Sequence, residues 1–339
     1  MKVLITGHKG YIGTHLVELL KQRGDYVIGC DLNLFDGCQW ESLVSPDEEL
    51  IKDFRQLTID ELKDVDCVMH LAAISNDPMG DLDEELTYDV NLHGSIKLAE
   101  ISKRAGVKRF LYSSSCSIYG KGEHLDLDEN SPLNPVSAYA ASKIEAERGI
   151  AKLADEKFTP VFLRNSTAYG FSPMLRIDLV ANNLLGSAFT KNEIRIMSDG
   201  TPWRPLIHCR DIARAFVALN LAPAEVIKNK QINIGDNKEN YQVRNIADMV
   251  QELIPSADVR YTGEVGADPR NYRVKFDLLN QLLPDFRLEY DLKKGLNELF
   301  DKFKQHNFSE ADFDGDKFVR LRTLRKRLQL LVTEKKHGL

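Results

Sequence analysis

No apolar run in the 339 residues approaches the roughly 18 that a bilayer span requires, so no membrane segment is expected. The chain enters Lys2-Val3-Leu4-Ile5-Thr6 directly, without the basic, apolar and small-residue succession of a signal peptide. Five cysteines, Cys30, Cys38, Cys67, Cys116 and Cys209, are scattered without a Cys-x-x-Cys pair or a histidine at ligand spacing. That excludes a disulfide framework and a cysteine metal site, and it fits reduced thiols in a cytoplasmic protein. An excess of positive charge is also missing: 45 lysines and arginines face 51 acids, a formal net charge of -6, which argues against a dedicated nucleic-acid binder. Repeats and low-complexity segments are absent. What is present, 43% hydrophobic and 28% charged residues, describes a globular chain large enough for two packed domains or one domain with an appended lobe.

The first β-branched run ends at Thr6, and Gly7-His8-Lys9-Gly10-Tyr11-Ile12-Gly13 follows at once. Beyond it Ile12, Leu16, Leu19 and Leu20 recur at helical spacing, so the glycines lie between a strand and a helix. Glycines in that context allow a tight turn and a close backbone approach to a pyrophosphate, which the helix N-terminus attracts. The Gly-Lys-Ser/Thr ending of a P-loop is lacking. A second strand, Tyr26-Val27-Ile28-Gly29-Cys30-Asp31, ends in an acid suited to a ribose 2′-hydroxyl and hostile to a 2′-phosphate. NAD is therefore expected rather than NADP, with Lys9 as a mild dissent.

Asp66 to Ala73 reads as a third buried strand whose Leu71, Ala72 and Ala73 let a cofactor lie close, with His70 a packed strand-end histidine. A helix from about Tyr88 to Ala105, a fourth strand from Arg109 to Ser115 and a fifth from Phe158 to Arg164 continue the alternation. Strands alternating with helices give an α/β fold, a Rossmann-like doubly wound parallel sheet whose ligand crevice lies at the carboxyl ends of its strands. After Gly170 the alternation weakens into a smaller C-terminal α/β lobe. The expected division is 1–170 for the cofactor domain, with about 205–235 returning to it, 171–310 mainly for the lobe, and 311–339 for a basic tail.

Tyr139 and Lys143 stand four apart in a segment free of glycine and proline, so a helix places both on one face. The same spacing also describes an ordinary exposed helix face. As a base, a phenol of pKa ~10 must come down about three units, roughly 4 kcal/mol. One ammonium at about 4 Å supplies that order of energy at an effective dielectric of about 20.

Taken together, Thr6-Gly7-x-x-Gly10-x-x-Gly13, Asp31, His70-Leu71-Ala72-Ala73, Asn91, Ser113-Ser114-Ser115 with Tyr119-Gly120, and Tyr139-x-x-x-Lys143 resemble the extended short-chain dehydrogenase/reductase superfamily in its nucleotide-sugar epimerase/dehydratase branch. The resemblance covers roughly residues 1 to 300. It implies that Tyr139 is the catalytic base, Lys143 its activator and a ligand of the nicotinamide ribose, and Ser115 a hydroxyl bridging Tyr139 and the sugar. It implies cofactor contacts at Gly7, Gly10, Tyr11, Ile12, Gly13, Asp31, Asp53, Phe54, Leu71, Ala72, Ala73, Asn91, Ser113 and Asn165, with a structural role for Asn91 left open. It places a nucleotide-sugar on the lobe, near Thr167, Asn182 or Asn183, Arg204 and Arg270, with Arg273 a lesser candidate for the diphosphate. A homodimer through the helices near Tyr88 and Tyr139 is implied as well.

Two departures narrow the reaction. Where sugar 4,6-dehydratases carry Asp-Glu after the bridging hydroxyl, this chain has Cys116 and Ser117, so dehydration is not expected. Thr167 stands where hexose C4 epimerases usually have Asn, which leaves the sugar open. The expected activity is an NAD-dependent nucleotide-sugar epimerase, most plausibly at C4. The alternatives are a net C4 dehydrogenase or keto-sugar reductase and, from another class, a non-catalytic NAD-sensing or scaffold protein. No metal, nucleic acid or membrane partner is expected. Asp211 reads as a helix N-cap. In the tail, Leu321, Leu324, Leu328 and Leu331 recur at helical spacing among basic residues, and an apolar docking face is expected there, with an anion contact as the sharper reading.

Overall fold

The structure is a computed structural model describing residues 1–75, 83–120, 126–263 and 270–327. The opening run forms β1 (Lys2–Thr6), and the glycine turn leads into α1 (Gly13–Gln22). There follow β2 (Tyr26–Asp31), β3 (Glu48–Ile51) and β4 (Cys67–His70). The expected helix near Tyr88 starts earlier, as α2 (Glu84–Tyr88), and passes through a π-helical turn at Asp89–Gly94 into α3 (Ser95–Arg104). Next come β5 (Arg109–Ser115), α4 (Ala138–Ala151) and β6 (Thr159–Asn165).

Beyond β6 the strands shorten: β7 (Thr167–Tyr169), α5 (Val180–Lys191), β8 (Glu193–Ile196) and β9 (Trp203–His208). Then α6 (Cys209–Leu221), β10 (Gln231–Ile234), β11 (Asn240–Gln242), α7 (Val243–Leu253), β12 (Asp258–Tyr261) and α8 (Leu292–Gln305) complete the labelled elements.

The main sheet has seven strands in the order β10-β6-β5-β4-β1-β2-β3, every neighbour parallel. This is the Rossmann-like α/β fold. Its strand order reverses between β1 and β4, where Thr6 faces His70, and that switch point opens a crevice beyond the carboxyl ends. Strand alternation divides the core: Val3 and Ile5 pack with Leu16, Leu20 and Phe216 on one side, Leu4 and Ile28 with Leu98 and Ile150 on the other. The lobe has sheets β11-β9-β7 and β12-β8 and a core including Leu185, Ile246, Leu296 and Phe303.

Two local expectations are corrected. Asp211 is not the N-cap of α6: the helix begins at Cys209, His208 Nδ1 accepts from the Arg210 amide, and Asp211 instead accepts from the Glu289 and Tyr290 amides. In the tail, residues 320–327 are helical, but the buried face there is Arg320 and Thr323, while Leu321 and Leu324 are half-buried. Leu328 and Leu331 lie outside the described residues.

Candidate active site

The glycine turn closes through the Gly10 amide on the Gly7 carbonyl at 2.9 Å. A Cβ on Gly13 would lie 2.2 Å from Gly7 O, and one on Gly7 2.8 Å from the Ala72 nitrogen, so the turn packs directly on Leu71-Ala72. Ile12 precedes α1 without a side-chain cap, and the first turn holds no acid. The Thr14 amide is taken by Gly10 O at 3.2 Å, and the N-terminal end of the helix still favours an anion. The Asp31 carboxylate accepts from the Asn33 amide (2.8 Å) and the Lys9 amide (3.2 Å). Lys9 Nζ lies 3.0 Å from Glu49 Oε1, so the base inside the turn is already paired. Lys9, Thr14, Asp31, Asn33 and Phe35 share the wall of a cavity of about 830 Å³. Turn, helix end, ribose acid and cavity together fit NAD.

Several expected cofactor and substrate residues have other partners. Tyr11 donates its hydroxyl to Gly170 O (2.6 Å) and accepts from Asn182 Nδ2 (3.1 Å). Asn182, fully buried, also takes the Gly170 amide and donates to Arg176 O, which ties the glycine turn to the loop after β7. Asn183 donates to Ile177 O. Asp53 caps a short helical turn and chelates Arg55. Phe54 is buried against the His70 ring at 4.8 Å. His70 itself sits between Thr6 Oγ1 (2.6 Å) and Ser95 Oγ (2.8 Å), and burial, with Lys143 a lesser influence, holds its pKa well below the usual value. Asn91, inside the π-helical turn, accepts from the Ile74 amide and donates to Ile74 O and Ser142 Oγ. It therefore fixes the loop after β4 against α4.

At the centre, Ser137 caps α4 by accepting from the Ala140 amide. One turn separates half-buried Tyr139 from buried Lys143. Lys143 Nζ donates to Ser113 O (2.8 Å), 4.6 Å from the Tyr112 ring centroid and 5.8 Å from that of Tyr139. Burial brings the ammonium pKa down to about 7, opposed by Glu147 one turn on. Ser115 ends β5 half-buried, its Oγ accepting from the Ser117 amide (3.1 Å). Asn165, its β6 neighbour, donates to Ser113 Oγ and Ser114 O. Asn165 Oδ1, Ser114 Oγ and Ser117 Oγ are buried without a partner among the described residues. Such atoms at strand ends suit a ligand that completes them.

In the lobe, Arg204 Nη1 donates to Trp203 O (2.8 Å) and Arg270 O (2.5 Å), so these two arginines adjoin. Arg273 instead pairs with Asp126 (2.6 Å) and lies over the Trp203 ring. Thr167 is half-buried on β7 beside Leu206. Cys116 is fully buried, its thiol directed to Arg164 O and its pKa pushed up by burial.

The sequence reading missed two groups. Arg164 and Glu147 form a buried pair at 2.8 Å behind the site, signalled only by an arginine in an otherwise apolar strand. Arg320 reaches inward from the tail, with no sequence signal separating it from its exposed basic neighbours.

Residues 3–235 match the model of the NAD dependent epimerase/dehydratase family. A putative UDP-glucose 4-epimerase of Methanocaldococcus jannaschii is 30% identical over 90% of this chain and 99% of its own. A mouse dTDP-D-glucose 4,6-dehydratase is 26% identical over 92% and 91%. The crystal structure of UDP-glucuronic acid 4-epimerase from Bacillus cereus, in complex with UDP-glucuronic acid and NAD, superposes with a TM-score of 0.77 at 26% identity, covering 90% of this chain and 99% of that one.

Proposed function

The chain belongs to the NAD-dependent epimerase/dehydratase family, and we propose that it is a nucleotide-sugar epimerase acting at C4 through a transient keto-sugar. The observation that carries this reading is Lys143, anchored on the β5 carbonyl of Ser113 and one helical turn from Tyr139, at the strand ends that also present Ser115 and the glycine turn. The cofactor is NAD, for which the Gly7 to Gly13 turn suits the diphosphate and Asp31 the adenosine ribose. Held there, NAD would supply reversible hydride exchange at a sugar carbon. Tyr139 takes the proton from the sugar hydroxyl and gives it back, Lys143 stabilises the phenolate, and Ser115 Oγ holds the sugar oxygen. Arg204, with Arg270 beside it, supplies the fork for the substrate diphosphate, and Thr167 lies on β7 where the cofactor domain meets the lobe.

Cys116 argues against dehydration, since a buried thiol with a raised pKa cannot stand in for an eliminating carboxylate. The names of the archaeal and Bacillus proteins favour a UDP-sugar as substrate. We place the division between cofactor domain and substrate lobe near residue 170, with 205–235 returning to the former and 311–339 as the tail. The reading extends to a cytoplasmic homodimer paired through α2, α3 and α4, as the family resemblance implies; among the described residues no helix is long and apolar enough to cross a membrane.

The test is incubation with NAD and a panel of UDP-, dTDP-, GDP- and CDP-sugars, with products separated by chromatography and reduced nicotinamide followed by its near-ultraviolet absorbance. A C4 epimer without lasting absorbance is expected. Stoichiometric NADH would assign a net dehydrogenase instead, and no turnover of any sugar would favour a non-catalytic NAD-binding protein.

A further inference from the structure

Arg320 is 3% exposed, whereas its neighbours Arg322, Arg325 and Lys326 lie in solvent. Its Nη2 donates to Met174 O at 3.0 Å, and its guanidinium stacks 4.3 Å from the Phe35 ring centroid. Nη1 is buried with no hydrogen-bond partner among the described residues. A guanidinium stripped of water and left with an open N–H is costly unless an anion completes it.

The surroundings say which anion. Phe35 and Met174, the two groups that hold Arg320, both line the cavity of about 830 Å³ whose wall also contains Lys9, Thr14 and Asp31. Thr14 lies in the first turn of α1, whose N-terminal end suits phosphate. A second buried guanidinium, Arg176, is near enough to repel Arg320; its own partner is Asp178 at 2.6 Å. Burial first and Arg176 second bring the Arg320 pKa down to about 10, against the pull of Cys38, Asp178 and Asp31. Of the acids there, Asp178 answers Arg176, Glu49 pairs with Lys9, and Glu41 pairs with Lys302 and His306, so Arg320 keeps its open N–H beside the helix end, where a diphosphate would complete it.

We infer that Arg320 binds the diphosphate of NAD, so that the C-terminal tail holds the cofactor together with the glycine turn. This rests on NAD being the cofactor, and it adds a cofactor residue outside the segment matched by the family model. The full-length protein, stripped of carried-over dinucleotide, is titrated by calorimetry with NAD, ADP-ribose, adenosine and UDP. Arg320→Gln is expected to raise the dissociation constants of NAD and ADP-ribose about tenfold to a hundredfold. Arg320→Lys is expected to fall between it and the wild type, with adenosine unchanged in both. The rise in melting temperature on adding NAD should shrink in step. Unchanged binding of NAD and ADP-ribose overturns the inference, as does an equal loss for adenosine, which would mark a collapsed cavity. A loss confined to UDP overturns it too, by moving Arg320 to the substrate. Wild-type protein that bound no dinucleotide would overturn the cofactor assignment itself.

Discussion

Helix α4 carries two buried charges one turn apart, and the fold treats them in opposite ways. Glu147 is matched: Arg164 lies 2.8 Å away, and its Nη1 reaches both the Tyr119 hydroxyl and the Glu129 carbonyl. The Tyr119 hydroxyl donates in turn to Asn233 of β10, so the network ties α4 across two strands of the sheet. Lys143 receives a carbonyl and two ring faces instead of a carboxylate, and burial lowers its pKa to about 7. Near it Ser114 Oγ, Ser117 Oγ and Asn165 Oδ1 lack partners among the described residues. One region completes its hydrogen bonds and fixes the helix, and the other leaves them open toward the crevice. Such a division lets the same helix hold a reactive base rigidly without satisfying it.

The comparison breaks most visibly at Tyr139. Tyr139→Phe removes the proton-transfer group and little packing, so kcat should fall about 10²- to 10⁴-fold. Its unfolding free energy in urea should stay within the about 0.5 kcal/mol typical of changes outside the packed core. A large stability loss with a small rate loss would place Tyr139 with the structural half of the helix.

The other half gives the next largest effect. Arg164→Met leaves Glu147 buried and uncompensated, which costs about 3–5 kcal/mol, while Arg164→Met with Glu147→Leu should recover most of it. Urea unfolding of wild type, single and double variants measures this. If the double variant is no better than the single, the pair's worth lies in its packing and the contrast along α4 is weaker than its charges suggest.

Much of the fold and the centre of the candidate site was legible because those features are local. Glycines at 7, 10 and 13 stand between adjacent elements, Asp31 ends its own strand, and Tyr139 and Lys143 are one turn apart, so each can be read from a short window. What escaped depends on distant partners. Glu147 and Arg164 meet across the α4–β6 connection, and Arg320 meets Met174 at 146 residues' separation. Asn182 looked like a nucleotide ligand, but its side chain is committed to Tyr11, Gly170 and Arg176, which no local pattern reveals. Asp211 read as a cap because it precedes an apolar run, yet His208 takes that place because the helix starts two residues before Asp211.

The last test is whether Lys143 is truly held off balance. Its pKa of about 7 in the folded chain compares with about 10.4 in an unfolded one. Between those values the unfolded state binds more protons, so this group makes stability rise with pH across that window; below about 7 it is protonated in both states and adds no slope. Lys143→Met removes the contribution, and groups elsewhere cancel when variant and wild type are compared. The stability difference, variant over wild type, should therefore be largest at pH 7 and shrink by about 1 kcal/mol for each unit between pH 8 and 9, vanishing above pH 10. Parallel curves over that range would mean that Lys143 keeps its charge in the folded protein at no cost. The carbonyl and ring contacts would then serve it as fully as Arg164 serves Glu147, and the two ends of α4 would no longer differ in kind.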